Sequence, residues 1–308
     1  MRQTQVATFL IAALLSAFHV LSVPAAADPI ASVEPPPASA GGTTPRIRVY
    51  LFRGFAGMVF SRGTDQLAEE LEQAGFTATV NEAVMCPIVA KQAISDYHAD
   101  PVRIAVIGHS VGGACALTFA DYLNAANIPV SLVVTTDPAK ISQDVPPNVE
   151  RYINVFQSNS LLGGHEVKAG VGFQGHFASY DIADHKEITH VNMEKDESIH
   201  QQLLSKIKQL AATPAKAEGE SVPLHYAVPA DAAIELWDSG TPIFARRGDT
   251  LQSLATLYRV PPWSLEQINA VSDSAPLPPG KRIVVPRYLV SLPALNGGEV
   301  GGDAQLKH

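Results

Sequence analysis

The chain has 308 residues, of which 46% are hydrophobic, 17% charged and 7% aromatic, a composition that excludes a disordered acidic tail, a collagen-like repeat or a low-complexity protein. Its 22 basic and 30 acidic residues leave a formal net charge of −8, so no basic excess exists to neutralise a phosphate backbone and nucleic acid is set aside as a partner. Two cysteines, Cys86 and Cys115, are too few for a disulfide-built scaffold, and the sequence leaves their pairing open.

Residues 1–27 carry a single charge, Arg2, then an apolar run over 6–23, then Ala25-Ala26-Ala27 ahead of Asp28. This is the order of a secretory signal peptide, and it predicts export to the periplasm or cell wall. An uncleaved membrane anchor is the alternative, since the run is just long enough to be considered. Cleavage would remove Arg2, take the net charge from −8 to −9, and leave no integral membrane segment. Residues 28–45 are Pro, Ala, Gly and Ser with almost no large apolar residue and read as a linker.

From residue 46 the pattern alternates. Segment 46–52 (RIRVYLF) reads as a strand, 64–74 as a helix through Leu67 and Leu71, and 76–80 as a second strand. Segment 102–107 (VRIAVI) is a near-continuous apolar strand, 111–126 a helix, 130–136 (VSLVVTT) a strand and 151–156 a weaker one. An amphipathic helix over 194–210 closes the region through Ile199, Leu203, Ile207 and Leu210. Five apolar strands separated by helices indicate an α/β fold, a small doubly wound parallel sheet covered on both faces over 46–211. In such sheets ligands bind outside the carboxyl ends of the strands.

Directly after the VRIAVI strand comes Gly108-His109-Ser110-Val111-Gly112-Gly113, then a helix. A sharp strand-to-helix turn needs small residues at Gly108 and Gly112, and it lifts the Ser110 hydroxyl above the sheet edge in front of a helix N-terminus. This G-x-S-x-G turn resembles that of the α/β-hydrolase superfamily, in particular its small, uncapped, cutinase-like or lipase-like members. The resemblance implies a Ser-acid-His order. Asp137, in the Asp137-Pro138-Ala139 stretch at the end of the next strand, is the expected acid, with Asp181 and Asp184 in reserve. Of the ten histidines, His165, His176, His185, His190 and His200 follow the serine within the region. His190, before the last helix, is the expected base, whereas His200 is read as solvated and His109 as facing away from the turn. The expected oxyanion hole combines the N–H groups of Val111 and Phe55. No cofactor is expected, and the four histidines from 165 to 190 lack the tight spacing of metal ligands.

Residues 212–240 read as a second linker. Segment 241–288 then carries Gly248-Asp249-Thr250-Leu251, Leu254-Ala255, Tyr258, Leu265, Asn269, Leu277, Gly280 and an Ile-Val-Val strand, ahead of a tail at 289–308. It resembles a LysM module, a small α+β unit of βααβ order. The resemblance implies binding of peptidoglycan or another N-acetylglucosamine polymer between the loop at Gly248, Asp249, Thr250 and Leu251 and the loop after Asn269. Six basic residues against three acidic ones give residues 244–287 a charge of +3 on an acidic chain, which favours an anionic wall.

The sequence therefore points to an exported serine hydrolase of the esterase or lipase kind, held at the wall by its LysM module and acting on an ester substrate. Two alternatives stand beside it: a peptidoglycan-binding protein with a degenerate hydrolase scaffold, and a wall-modifying deacetylase or amidase.

Overall fold

The computed structural model describes residues 46–55, 62–164, 166–212, 220–271 and 275–288. The expected leader at 1–27, linker at 28–45 and tail at 289–308 lie outside the described residues.

Seven strands form one parallel sheet in the order β2-β1-β3-β4-β5-β6-β7. They are β1 (Ile47–Arg53), β2 (Thr77–Glu82), β3 (Arg103–His109), β4 (Leu132–Thr136), β5 (Arg151–Phe156), β6 (His176–Asp181) and β7 (Leu224–Ala227). Among the described residues four α-helices cover it: α1 (Arg62–Gln73), α2 (Cys86–Ala99), α3 (Val111–Ala125) and α4 (Glu197–Ala212).

Alternation along each strand sorts side chains onto two faces. Val49 and Leu51 of β1, Ala105 and Ile107 of β3, and Ile153 and Val155 of β5 pack with Leu67 and Leu71 of α1 and Ile199, Leu203 and Ile207 of α4. Their neighbours Tyr50, Phe52, Ile104, Val106 and Tyr152 pack on the other face with Ala90 and Ala93 of α2 and Ala116, Phe119 and Leu123 of α3. Burial on both faces is why the strands read as continuous apolar runs. Cys86 and Cys115 lie in the second cluster as free thiols, the Cys86 Sγ–H donating to Cys115 O at 3.2 Å.

The sheet has seven strands rather than five. β6 (HFASYD) escapes sequence reading because its ends are polar. β7 lies inside the stretch read as a linker over 212–240, which is therefore corrected: four residues between prolines show too short an alternation to be recognised, and the free edge of β6 decides their conformation. The chain after β7 is also packed. Ile234, Leu236 and Trp237 are buried, and Leu236 N–H donates to Gln202 Oε1 of α4 at 2.8 Å.

The C-terminal part has the βααβ order: β8 (Ser239–Phe244), α5 (Leu251–Tyr258), α6 (Pro262–Asn269) and β9 (Arg282–Arg287), with β8 and β9 antiparallel. Leu251, Leu254 and Ala255 form the buried face of α5, and Pro262 occupies the first turn of α6, where its missing N–H is harmless. This unit does not hang free. The rings of Tyr180, Tyr226, Trp237 and Trp263 contact one another across the junction, and the Gln267 amide exchanges hydrogen bonds with both backbone groups of Ala227 on β7. Beneath them Lys206 Nζ meets Asp238 Oδ1 at 2.8 Å, both buried.

Two imidazoles are held neutral by the fold. Burial, reinforced by nearby His190, lowers the His109 pKa from 6.5 to about 4. Burial, reinforced by Arg151 and Arg287, does the same for His176. Below pH 6.5 the unfolded chain binds protons that the folded one refuses, so stability is complete above about 6.5 and declines until about pH 4. Denaturant titrations at intervals across this window should show the unfolding free energy falling steadily with pH. A flat profile would show that these rings are not buried as described.

Candidate active site

The carboxyl ends of β1, β3, β4 and β5 converge on one site. At its centre is the turn between β3 and α3. A Cβ on Gly108 would lie 2.1 Å from Gly112 O, and one on Gly112 would lie 2.1 Å from Phe52 O. Only glycine permits this approach, and it seats the N-terminus of α3 directly on the end of β1. Ser110, between them, has φ 56° and ψ −122°, a backbone conformation costly to a residue with a side chain and typical of functional turns. Its N–H donates to Thr136 O at 3.0 Å, and its carbonyl accepts from Ala139 N–H at 3.0 Å. The turn is thus bound from both sides to the segment that carries Asp137.

Asp137 follows β4 with φ 43° and is fully buried. Its Oδ1 accepts from the Gln157 and Gly164 N–H groups at 3.0 and 2.8 Å, and its Oδ2 lies 2.5 Å from His190 Nδ1. Burial alone would push this carboxyl up; hydrogen bonds from His190, Gln157 N–H and Ser160 overcome that and hold it below the ordinary carboxylate range. A carboxylate acceptor selects the tautomer with the hydrogen on Nδ1 and leaves Nε2 free to accept a hydrogen bond.

His190 sits on the loop between β6 and α4, before the last helix as expected. The Gln157 side-chain amide donates to Ile188 O at 2.6 Å. Asn192 accepts from Thr189 N–H and donates to Glu187 O. The ring is 14% exposed, so one edge of it reaches solvent. His109, read from sequence as turned away, is instead part of this arrangement, its Nε2 lying 2.8 Å from His190 O. Strand parity carried the signal: His109 shares its face with Ala105 and Ile107, the face toward α4 and the loop that precedes it. His200 also departs from expectation, being buried with Nε2 2.6 Å from Glu194 O. The remaining candidates are dispersed: His176 reaches Ser239, His185 pairs with Glu187, and His165 lies outside the described residues. Asp181 accepts from the Ser158 and Ala183 N–H groups and so ties the loop after β5 to the one after β6.

Val111 opens α3, so its N–H has no intrahelical acceptor. Phe55 follows the end of β1 with its ring exposed, and residues 56–61 lie outside the described residues. Arg53 clasps Asp65 and Glu82 and so steadies the start of that loop. Beside His190 lies an open groove of about 410 Å³ lined in part by Gln157, Leu161, Leu162, Lys186 and Ile188.

In the C-terminal unit, Gly248 turns with φ +92°. Thr250 caps α5, its Oγ1 accepting from Ser253 N–H at 3.0 Å while its own N–H donates to Ser253 Oγ at 2.9 Å. Asp249 Oδ2 accepts from Arg246 N–H at 2.7 Å, and Leu277 N–H donates to Asp249 O at 2.7 Å, joining the two loops expected to flank a ligand. Leu251 is buried, and the Asn269 amide bonds Leu265 O and both backbone groups of Val284. These two residues brace the loops instead of facing solvent. Thr250→Ala is expected to lower stability by about 1 kcal/mol through loss of the cap, seen as a reduced midpoint in urea at unchanged slope.

Residues 245–286 match the LysM domain family, and this part of the chain is a LysM domain. Among curated proteins none matches the chain. Among solved structures, that of human thioesterase 2 is similar at 11% identity and a TM-score of 0.35, over 56% of this chain and 99% of that one. Among the described residues no helix is long and apolar enough to cross a membrane.

Proposed function

We propose that the chain is an exported serine hydrolase that acts on an ester bond and binds peptidoglycan, or another N-acetylglucosamine polymer, through its LysM domain. The observation that carries the catalytic part is the buried Asp137–His190 hydrogen bond, formed at the strand ends beside a serine held in a strained turn at a helix N-terminus. In this reading His190 Nε2 takes the Ser110 proton as Oγ attacks the acyl carbon. The N–H groups of Val111 and Phe55 hold the oxyanion, and the proton passes to the leaving alcohol. Water, activated by the same imidazole, then hydrolyses the acyl-enzyme.

The surroundings favour an apolar acyl group presented from a bulky or insoluble source. Leu161 and Leu162 are exposed in the groove beside His190, and Phe55, Val84, Ile88 and Ile141 are exposed on segments that follow β1, β2 and β4. On the LysM side, the Gly248, Asp249 and Thr250 loop braced by Leu251 and Asn269 would receive the sugar chain. Two experiments test the reading: hydrolysis of a panel of p-nitrophenyl esters of increasing acyl length, and co-sedimentation with purified peptidoglycan. Turnover of no ester would count against the first half, and failure to sediment against the second.

One observation favours a second reading, removal of acyl groups from the wall itself. The LysM domain packs on β7 through Trp263 and Gln267, so bound polymer and active site belong to one body. Release of acetate from O-acetylated or N-acetylated wall would distinguish it.

A further inference from the structure

The reaction just described makes no use of His109, although this side chain is buried and joins the two reacting residues. It ends β3 and is covalently next to Ser110. Its Nε2 lies 2.8 Å from His190 O, and a carbonyl oxygen only accepts, so Nε2 carries the hydrogen. Its ring faces that of His190 with centroids 4.9 Å apart and planes at 41°, and its Nδ1 is buried with no partner among the described residues. Burial keeps the ring uncharged at neutral pH, so it does not repel the imidazolium that forms on His190 during turnover.

His190 is thus held at two points. Asp137 takes the ring and sets its tautomer, while His109 takes the backbone carbonyl. Only the second tie starts from the nucleophile's own neighbour, so it couples the height of the turn to the position of the base. We infer that His109 is a positioning residue that sets the separation of Ser110 and His190 by clamping the His190 carbonyl to the end of β3. This rests on the reading that Ser110 and His190 react together.

The test compares His109→Phe, which keeps a ring against His190 but cannot donate, with His109→Gln, whose side-chain amide can. For p-nitrophenyl acetate, the Phe variant is expected to lose about 10- to 100-fold in kcat, the size of effect that follows misplacement of a reacting group. KM should stay within about twofold, because substrate binding is untouched. The rate of Ser110 labelling by a fluorophosphonate should fall in parallel, and His109→Gln should recover most of both. Should the Phe variant fail to fold, His109→Asn, whose amide is too short to reach the carbonyl, takes its place. Turnover by the Phe or Asn variant within about twofold of the parent, or a Gln variant as slow as the Phe variant at equal thermal stability, overturns the inference. A parent protein that neither turns over ester nor labels at Ser110 overturns the hydrolase reading and this inference with it. That outcome is distinct, because in the others the parent reacts.

Discussion

Ser110→Ala is expected to reduce ester hydrolysis by about three to six orders of magnitude while leaving the fold and peptidoglycan binding intact. The size follows from the chemistry: without Oγ no acyl-enzyme forms, and what remains is the small acceleration from the oxyanion site and substrate binding. The fold should tolerate the change, since it is the Ser110 backbone groups, bonded to Thr136 O and Ala139 N–H, that hold the turn. The decisive measurement pairs rate with labelling: the parent should take up a fluorophosphonate at one residue, and the Ala variant at none. Labelling that persists in Ser110→Ala would place the nucleophile elsewhere, and an unlabelled parent that still binds peptidoglycan would leave the non-catalytic reading.

Trp237→Ala is expected to cost about 3–5 kcal/mol, the range for removing a large buried aromatic side chain. Trp237 is 1% exposed and stands where three parts of the chain meet. Its ring contacts Tyr180 of β6, Tyr226 of β7 and Trp263 of α6, and its carbonyl accepts from the Tyr180 hydroxyl at 2.8 Å. The apolar core runs without a break from the sheet through Trp237 to Leu254, Leu265 and Ile283 of the LysM domain. Calorimetry of the parent should therefore show one cooperative transition, and the Trp237→Ala variant either a much lower midpoint or two separated transitions. Two independent transitions in the parent would show that the LysM domain is a freely tethered module after all.

The placement of Ser110, Asp137 and His190 near the strand ends was readable because it is written locally. Ser110 lies between glycines at a strand-to-helix boundary, Asp137 at the end of an apolar strand and His190 before an amphipathic helix, and each of those signals spans fewer than about ten residues. His109 was misread because, although strand parity assigns it to the α4 face of β3, its contact depends on which loop passes over that face, and the motif does not record the loop. His200 was misread for a related reason: a polar residue in an amphipathic helix looks solvated until the Glu194 carbonyl is known to reach its ring. Asn269 stands in the expected place, yet only the packed α6 and β9 show that its amide serves the fold.

Period-two and helical patterns were sufficient for the parallel α/β architecture, the glycine spacing for the position of the serine turn, and the resemblance to LysM for the βααβ unit at the C-terminus, because these depend on contacts close in the chain or on which face of an element is apolar. Long-range pairing settled the rest. The edge strand β7, the aromatic junction that binds the LysM domain to the sheet, and the clamp of His109 on His190 each join residues whose local sequence is compatible with other conformations. In each case a free strand edge, an uncovered apolar surface or an unpaired carbonyl from a distant segment chose among them.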